Sequence, residues 1–184
     1  MQKQERKRLK KMRNLLVVVD MQKDFIDGSL GTKEAVAIVD NVVAEIGKYD
    51  TKDIFATRDT HPENYLETQE GKNLPVVHCV KGTEGWQINE KVKAALKDAA
   101  VIDKPTFGSK VLAEEIVKIA EKEDITVTLI GLCTDICVVS NALLIKAYLP
   151  EIPVKVIASC CAGVTPESHE AALTTMKMCQ VQVK

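Results

Sequence analysis

An α/β sheet, mostly parallel and with helices on both faces, is the fold class the sequence predicts, and three observations predict it. Apolar runs and amphipathic segments alternate along the chain, the pattern of repeated strand-helix units. Two of the runs, Leu15 to Asp20 (LLVVVD) and Ile125 to Leu132 (ITVTLIGL), are apolar or β-branched almost throughout, as expected of strands covered on both faces. The residues best suited to chemistry, Asp20, Asp59, Lys104 and Cys137, fall at or just past the ends of such runs. Open α/β sheets bind their ligands beyond the carboxyl ends of the strands.

Taken in order, Leu15 to Asp20 is the first strand, and the Gly-containing loop IDGSLG follows it. Thr32 is placed to cap a helix from Lys33 to about Lys48, with Val36, Val39, Val43 and Ile46 facing inward. Lys52 to Thr57 reads as a second strand. The connection from Arg58 to about Asn89 has no sustained periodicity, and such length in a compact domain points to function or disorder. It carries His61, His78 and the only tryptophan, Trp86, which argues for function. Ile88 to Ala99 reads as an amphipathic helix and Val101 to Lys104 as a short strand. Ser109 then caps a helix to about Lys122, with Val111, Leu112, Ile116 and Ile119 inward. Val154 to Ser159 is a further strand, Thr165-Pro166-Glu167 opens a last helix, and Val181 to Lys184 begins a final strand.

Composition narrows the function classes. The 184 residues suffice for a full core, and 46% hydrophobic and 28% charged residues are ordinary for a globular chain. A net charge of −1 gives no reason to expect nucleic acid, and no apolar run approaches the roughly 18 residues of a membrane span. The six cysteines show neither a Cys-x-x-Cys pair nor a disulfide framework, and read as reduced thiols of a cytoplasmic protein. Residues 1–13 hold seven Lys/Arg and one Glu, and read as a disordered basic arm ahead of a single domain over 14–184.

The segment Ile125 to Leu144 passes from strand to helix across Leu132-Cys133-Thr134-Asp135 with almost no loop, and a helix from Thr134 would turn Ile136, Val139, Leu143 and Ala147 to one face. Cys137 then lies in the first helical turn, where the positive end of the dipole favours a thiolate nucleophile. A carboxylate on a neighbouring strand end, Asp20, can take the thiol proton, and Lys104 supplies positive charge beside both. Separately, Asp59, His61 and His78 can converge on one divalent ion such as zinc.

These residues stand in three motifs, VVVDMQKDF, KPTFGS and GLCTDICV, and in that order the chain resembles the isochorismatase-like cysteine hydrolases, the nicotinamidases among them. The resemblance runs from about Asn14 to the C-terminus. It implies a Rossmann-like three-layer sandwich around a six-stranded parallel sheet, and a catalytic triad of Asp20, Lys104 and Cys137. It also implies a cis peptide at Leu132–Cys133, an oxyanion hole from the N–H groups of Cys133 and Cys137, and substrate contacts from Phe25 and Leu132. The segment TRDTHPENY…LPVVHCVKGTEGW is similar to that family's metal-binding stretch, which implies one divalent ion on Asp59, His61 and His78, zinc first, with manganese or iron as alternatives. Tyr65 stands near where a further histidine is expected, so the fourth ligand falls to Glu70 first and Glu67 second. Leu74-Pro75-Val76-Val77 replaces an aromatic wall, which leaves Phe25 to serve there, with Trp86 either beside it or in the core. A homo-oligomer acting on a small carboxamide is the partner arrangement implied.

Hydrolysis of nicotinamide through a Cys137 thioester is the activity expected. A metal-free amidohydrolase of carbamoyl or ureido compounds is the rival within the fold. A non-hydrolytic thiol or ligand-binding protein, with Cys133 and Cys137 as a redox pair, is the rival outside it, and it has no use for Asp20 and Lys104.

Overall fold

The computed structural model describes residues 12–184, and all but the end of the basic arm lies outside the described residues. Arg13 belongs to the fold rather than to the arm. It opens strand β1 (Arg13–Val19), and its guanidinium meets Asp53 at 2.6 Å and Glu123 at 2.8 Å. The other strands are β2 (Ile54–Asp59), β3 (Ala100–Lys104), β4 (Ile125–Leu132), β5 (Val154–Ala162) and β6 (Gln182–Val183). They form one sheet in the order β3-β2-β1-β4-β5-β6, parallel at every pairing. The chain leaves β1 in one direction for β2 and β3, and returns on its other side through β4. The switch point therefore lies between β1 and β4.

Alternate side chains of the central strands divide the core into two layers. Leu16 and Val18 of β1 pack with Ile130 and Leu132 of β4 against helices α1 (Lys33–Ile46) and α2 (Glu90–Leu96). Leu15, Val17 and Val19 pack with Val127 and Leu129 against α3 (Lys110–Ala120), α4 (Val139–Tyr148) and α5 (Pro166–Met178). This is the three-layer sandwich. Burial of both faces is why these strands read as unbroken apolar runs.

Three expected caps are present: Thr32 accepts from Ala35 N, Ser109 from Leu112 N and Thr165 from Ser168 N, with Pro166 in the first turn. Helix faces are where periodicity misled. In α1 the buried line is Ala35, Ile38, Val39, Val42 and Ile46, while Val36 is exposed. The segment AVAIVDNVV is apolar on more than one side, and contact with the sheet selects which side is covered. In α3 Val111 is exposed, and Leu112, Ala113 and Ile116 carry the contact.

The segment after β4 differs more. It opens not as an α-helix but as a wide π turn, Thr134–Val138, in which Val138 N donates to Cys133 O at 3.0 Å. The inward line is Val138, Ala142 and Ile145, one position ahead of the expected Val139 and Leu143, and Ala147 is exposed. Ile136 faces a cavity above the sheet edge. Such turns recur near functional sites because they re-aim one side chain.

Candidate active site

The parallel register places the site. Asp59 and Lys104 end β2 and β3 as direct partners, Asp20 follows β1, and Cys137 follows β4 across the switch point. Along β3 only Lys104 is buried, although it is the charged end of an edge strand. Its ammonium lies 2.7 Å from Asp20 Oδ2, 3.2 Å from Asp59 Oδ1 and 3.4 Å from Cys137 Sγ, and donates to Thr106 O at 3.1 Å. Asp20 is held at φ 46°, in the left-handed region, an arrangement that costs on the order of 1 kcal/mol and collects at functional sites. Thr57 Oγ1 donates to its Oδ1 at 2.7 Å. Gly131, at φ 115°, lets β4 run against β1 here, since a Cβ would meet Val19 O at 2.1 Å. The peptide Leu132–Cys133 is cis.

Charge in this dry pocket is tightly coupled. Burial pushes the Asp20 carboxyl above its ordinary range, against the pull of Lys104. Burial also works to lower the Lys104 pKa, but Asp20, Cys137 and Asp59 outweigh it and hold the ammonium charged. The Cys137 thiol is pushed well above its usual value by burial and then by the Asp20 charge. Burial and the Asp20 charge thus outweigh the helix-terminus effect expected from position and favour the neutral thiol. Cys133, pushed up to about 12 by burial, is also a neutral thiol, and the two are not bonded to each other.

A second cluster adjoins the first through Asp59. Its Oδ2 lies 2.8 Å from His61 Nε2 and 3.8 Å from His78 Nε2, and Glu70 Oε1 lies 3.7 and 3.8 Å from the same nitrogens. One ligand atom from each of Asp59, His61, Glu70 and His78 falls within 4.8 Å of the others. His78 Nδ1 is engaged by Val76 O at 2.8 Å, which leaves Nε2 facing the cluster. His61 Nε2 is buried and has no hydrogen-bond partner in acceptable geometry. Two imidazole nitrogens and two carboxylates, one nitrogen orphaned, make a donor set that suits a zinc-like ion. Burial pushes Asp59 upward, but His61 and Lys104 prevail and hold it below the usual range; burial likewise lowers His61, and Asp59 outweighs it. Glu67 is not part of the cluster and accepts from Asn64 at 3.1 Å.

Several supporting residues had no signal in the sequence. Gln22, fully buried, donates to Asp59 O (2.8 Å) and Trp86 O (3.0 Å) and accepts from Asp59 N (2.7 Å). Asn141 Nδ2 donates to Cys137 O at 2.8 Å, and its Oδ1 accepts from Ser109 N at 2.9 Å, tying the loop after β3 to the Cys137 turn. Tyr65 packs its ring against both His61 and His78, with centroids 4.7 and 4.9 Å away. His169 Nδ1 shares a 2.8 Å hydrogen bond with Thr134 Oγ1. Gln22 and Tyr65 lie in noted motifs, yet nothing in their spacing names a partner.

Above both clusters opens a cavity of about 880 Å³. Phe25 and Leu132 line it, whereas Trp86 packs in the core beneath Arg58, 3.4 Å from ring centroid to guanidinium. Phe25 thus stands in for the aromatic wall beside the cluster, 5.6 Å from the His78 ring.

At the sheet edge a buried carboxylate, lysine and thiol thus stand beside a histidine-carboxylate cluster. The family model for the isochorismatase domain matches residues 14–183, and the chain belongs to that family. Among solved structures it is similar to pyrazinamidase of Pyrococcus horikoshii in complex with zinc, with a TM-score of 0.79 and 29% identity, over 94% of this chain and 98% of that one. It is similar to nicotinamidase/pyrazinamidase PncA from Bacillus subtilis, with a TM-score of 0.78 and 25% identity, over 94% and 99%. The PnC1 of L. infantum in complex with nicotinate gives a TM-score of 0.78 and 25% identity, over 94% and 92%.

Proposed function

We propose that the protein is a cysteine amidohydrolase that converts nicotinamide to nicotinic acid and ammonia. One observation carries the reading: Lys104 Nζ holds the Asp20 carboxylate at 2.7 Å and the Cys137 sulfur at 3.4 Å on the floor of a cavity that the Asp59-His61-Glu70-His78 cluster also faces. The family and its nicotinamidase and pyrazinamidase neighbours support the amide as the bond attacked.

Asp20 is the base. It takes the Sγ proton, and the thiolate attacks the carboxamide carbon, the C=O electron pair moving onto oxygen. The backbone N–H groups of Cys133 and Cys137 would receive that oxyanion, an interaction worth about 3 kcal/mol. On collapse the C–N bond breaks, Asp20 returns its proton to nitrogen, and ammonia leaves a thioester on Cys137. Water then attacks the thioester, Asp20 accepts its proton, and the C–S bond breaks with that proton restored to sulfur. Lys104 keeps Asp20 ionised between these transfers and offsets the thiolate as it forms.

Asp59, His61, Glu70 and His78 would hold one divalent ion, with zinc the best fit. When bound, such an ion supplies a Lewis acid for the ring nitrogen of the substrate. Phe25 and Leu132 would place the ring against Cys137.

The test is ammonia release from nicotinamide by wild type and Cys137→Ala, each with and without prior chelation. Release lost in both treatments supports the reading. Release that survives chelation removes the metal from it and favours a carbamoyl or ureido amidohydrolase. No release by zinc-loaded wild type overturns the substrate.

A further inference from the structure

The cavity is far larger than one pyridine ring and its carboxamide require. At about 880 Å³ it lies near the top of the roughly 300–1,000 Å³ of pockets that enclose drug-sized ligands. Its floor holds Cys137, His61 and His78, all buried, and its outer half is walled by Leu74, Phe107 and Val164. These three come from separate connections and are 38%, 44% and 51% exposed, so they face the opening rather than the core.

Each wall is anchored by a residue of the site itself. Tyr65, which packs on both histidines, donates its hydroxyl to Leu74 O at 2.9 Å. Asn141, bound to Cys137 O, also donates to Phe107 O at 3.2 Å. Asp135, two residues before Cys137, accepts from Val164 N at 3.2 Å. Exposed Gln69 and Asn73 also line the cavity, but the three apolar walls, with their backbone held this way, are preorganised for an apolar group. Among the described residues, no lysine or arginine lines the cavity, so an anionic substituent would lose its water without gaining a counter-charge. Lys104 is buried among Asp20, Asp59 and Cys137 beneath it.

We infer that Leu74, Phe107 and Val164 form an outer subsite for an uncharged, apolar substituent on the aromatic carboxamide, and that the lining rejects anionic ones. This rests on the carboxamide reading above for what occupies the floor. The protein would therefore prefer alkyl-substituted ring amides to the unsubstituted ring, and would discriminate against carboxylated or phosphorylated ones.

Calorimetric binding to zinc-loaded, full-length Cys137→Ala protein tests this without turnover. The ligands are nicotinamide, 5-butylnicotinamide and 5-carboxynicotinamide. The butyl compound is expected to bind about tenfold more tightly than nicotinamide, less than full burial of its methylenes would yield because the chamber is open. The carboxylate should bind at least about tenfold more weakly. In the Phe107→Ser/Val164→Ser protein the butyl advantage should shrink to about twofold. Butyl binding no tighter than nicotinamide, an equal affinity for the carboxylate, an undiminished advantage in the double variant, or no binding by any ligand overturns the subsite. A butyl compound that binds where nicotinamide does not supports the subsite. Failure of the nicotinamidase reading appears separately, as wild type that releases no ammonia from nicotinamide.

Discussion

The two halves of the site are built in different ways, although they share Asp59. Asp20 and Lys104 stand at the ends of β1 and β3, where the parallel ladder sets their spacing, and Cys137 sits in the π turn that follows β4. Of the histidine-carboxylate cluster only Asp59 ends a strand. His61, Glu70 and His78 hang on the connection from 60 to 80, which is held by local bonds: His61 N to Cys79 O (3.0 Å), Thr68 Oγ1 to Gly71 N (3.0 Å) and Tyr65 Oη to Leu74 O (2.9 Å). A sheet edge positions groups through many shared ladder bonds. A connection positions them through a few, and an ion bound there would complete its rigidity. The first half is therefore set by the sheet, whereas the second would be completed by the proposed ion.

The sharpest way to separate the halves is to remove the Cys137 thiol. Cys137→Ala should lower kcat for nicotinamide by roughly 10⁴-fold or more while zinc content, measured by atomic emission, stays unchanged. Loss of zinc in that variant would mean that the halves are not independently built. Next in size, Lys104→Met leaves Asp20 and Asp59 buried without their counter-charge, and urea unfolding should record a loss of about 3–5 kcal/mol. A change under 1 kcal/mol would show that water reaches this floor.

Metal removal should act on the other half. Saturating zinc, at about a thousandfold over its Kd, should stabilise the fold by about 4 kcal/mol. Chelation should speed hydrogen exchange between 60 and 80 and leave β1 and β4 protected. Uniform acceleration across the sheet would break the comparison. Smaller still, Gln22→Leu leaves the Asp59 N–H and two carbonyls without this partner, and should cost about 1–3 kcal/mol in denaturant unfolding. It should also weaken zinc binding, because Gln22 orients the shared carboxylate; unchanged zinc affinity would confine it to a structural role. Tyr65→Phe removes one hydrogen bond from the connection and should cost about 1 kcal/mol, read in the same assay.

How much of this could be read from the chain follows the same division. Asp20 and Lys104 are legible because one directly follows and the other ends a recognisable strand, and Cys137 because it lies in the turn just past another; strand ends in an α/β sheet share one edge. His61 and His78 were visible as residue types, but the choice between Glu70 and Glu67 was left to preference. Spacing on an aperiodic connection carries no direction, so only the folded chain separates Glu70, in the cluster, from Glu67, on Asn64. The state of the thiol is hidden from the sequence for a related reason. Position at a helix start argues for a thiolate, but burial against Asp20 carries the larger effect, and burial is a property of the assembled core.

By itself the sequence determined the α/β class, the strands, the caps at Thr32, Ser109 and Thr165, and the edge on which chemistry collects. Those follow from local preference and hydrophobic period, which each segment carries alone. Tertiary structure decided which faces of α1, α3 and α4 are covered, the π turn that aims Cys137, the partners of Gln22, Tyr65 and Asn141, and the size of the cavity. Each of these depends on contacts between residues distant in the chain, and their energies exist only once the sheet has brought them together.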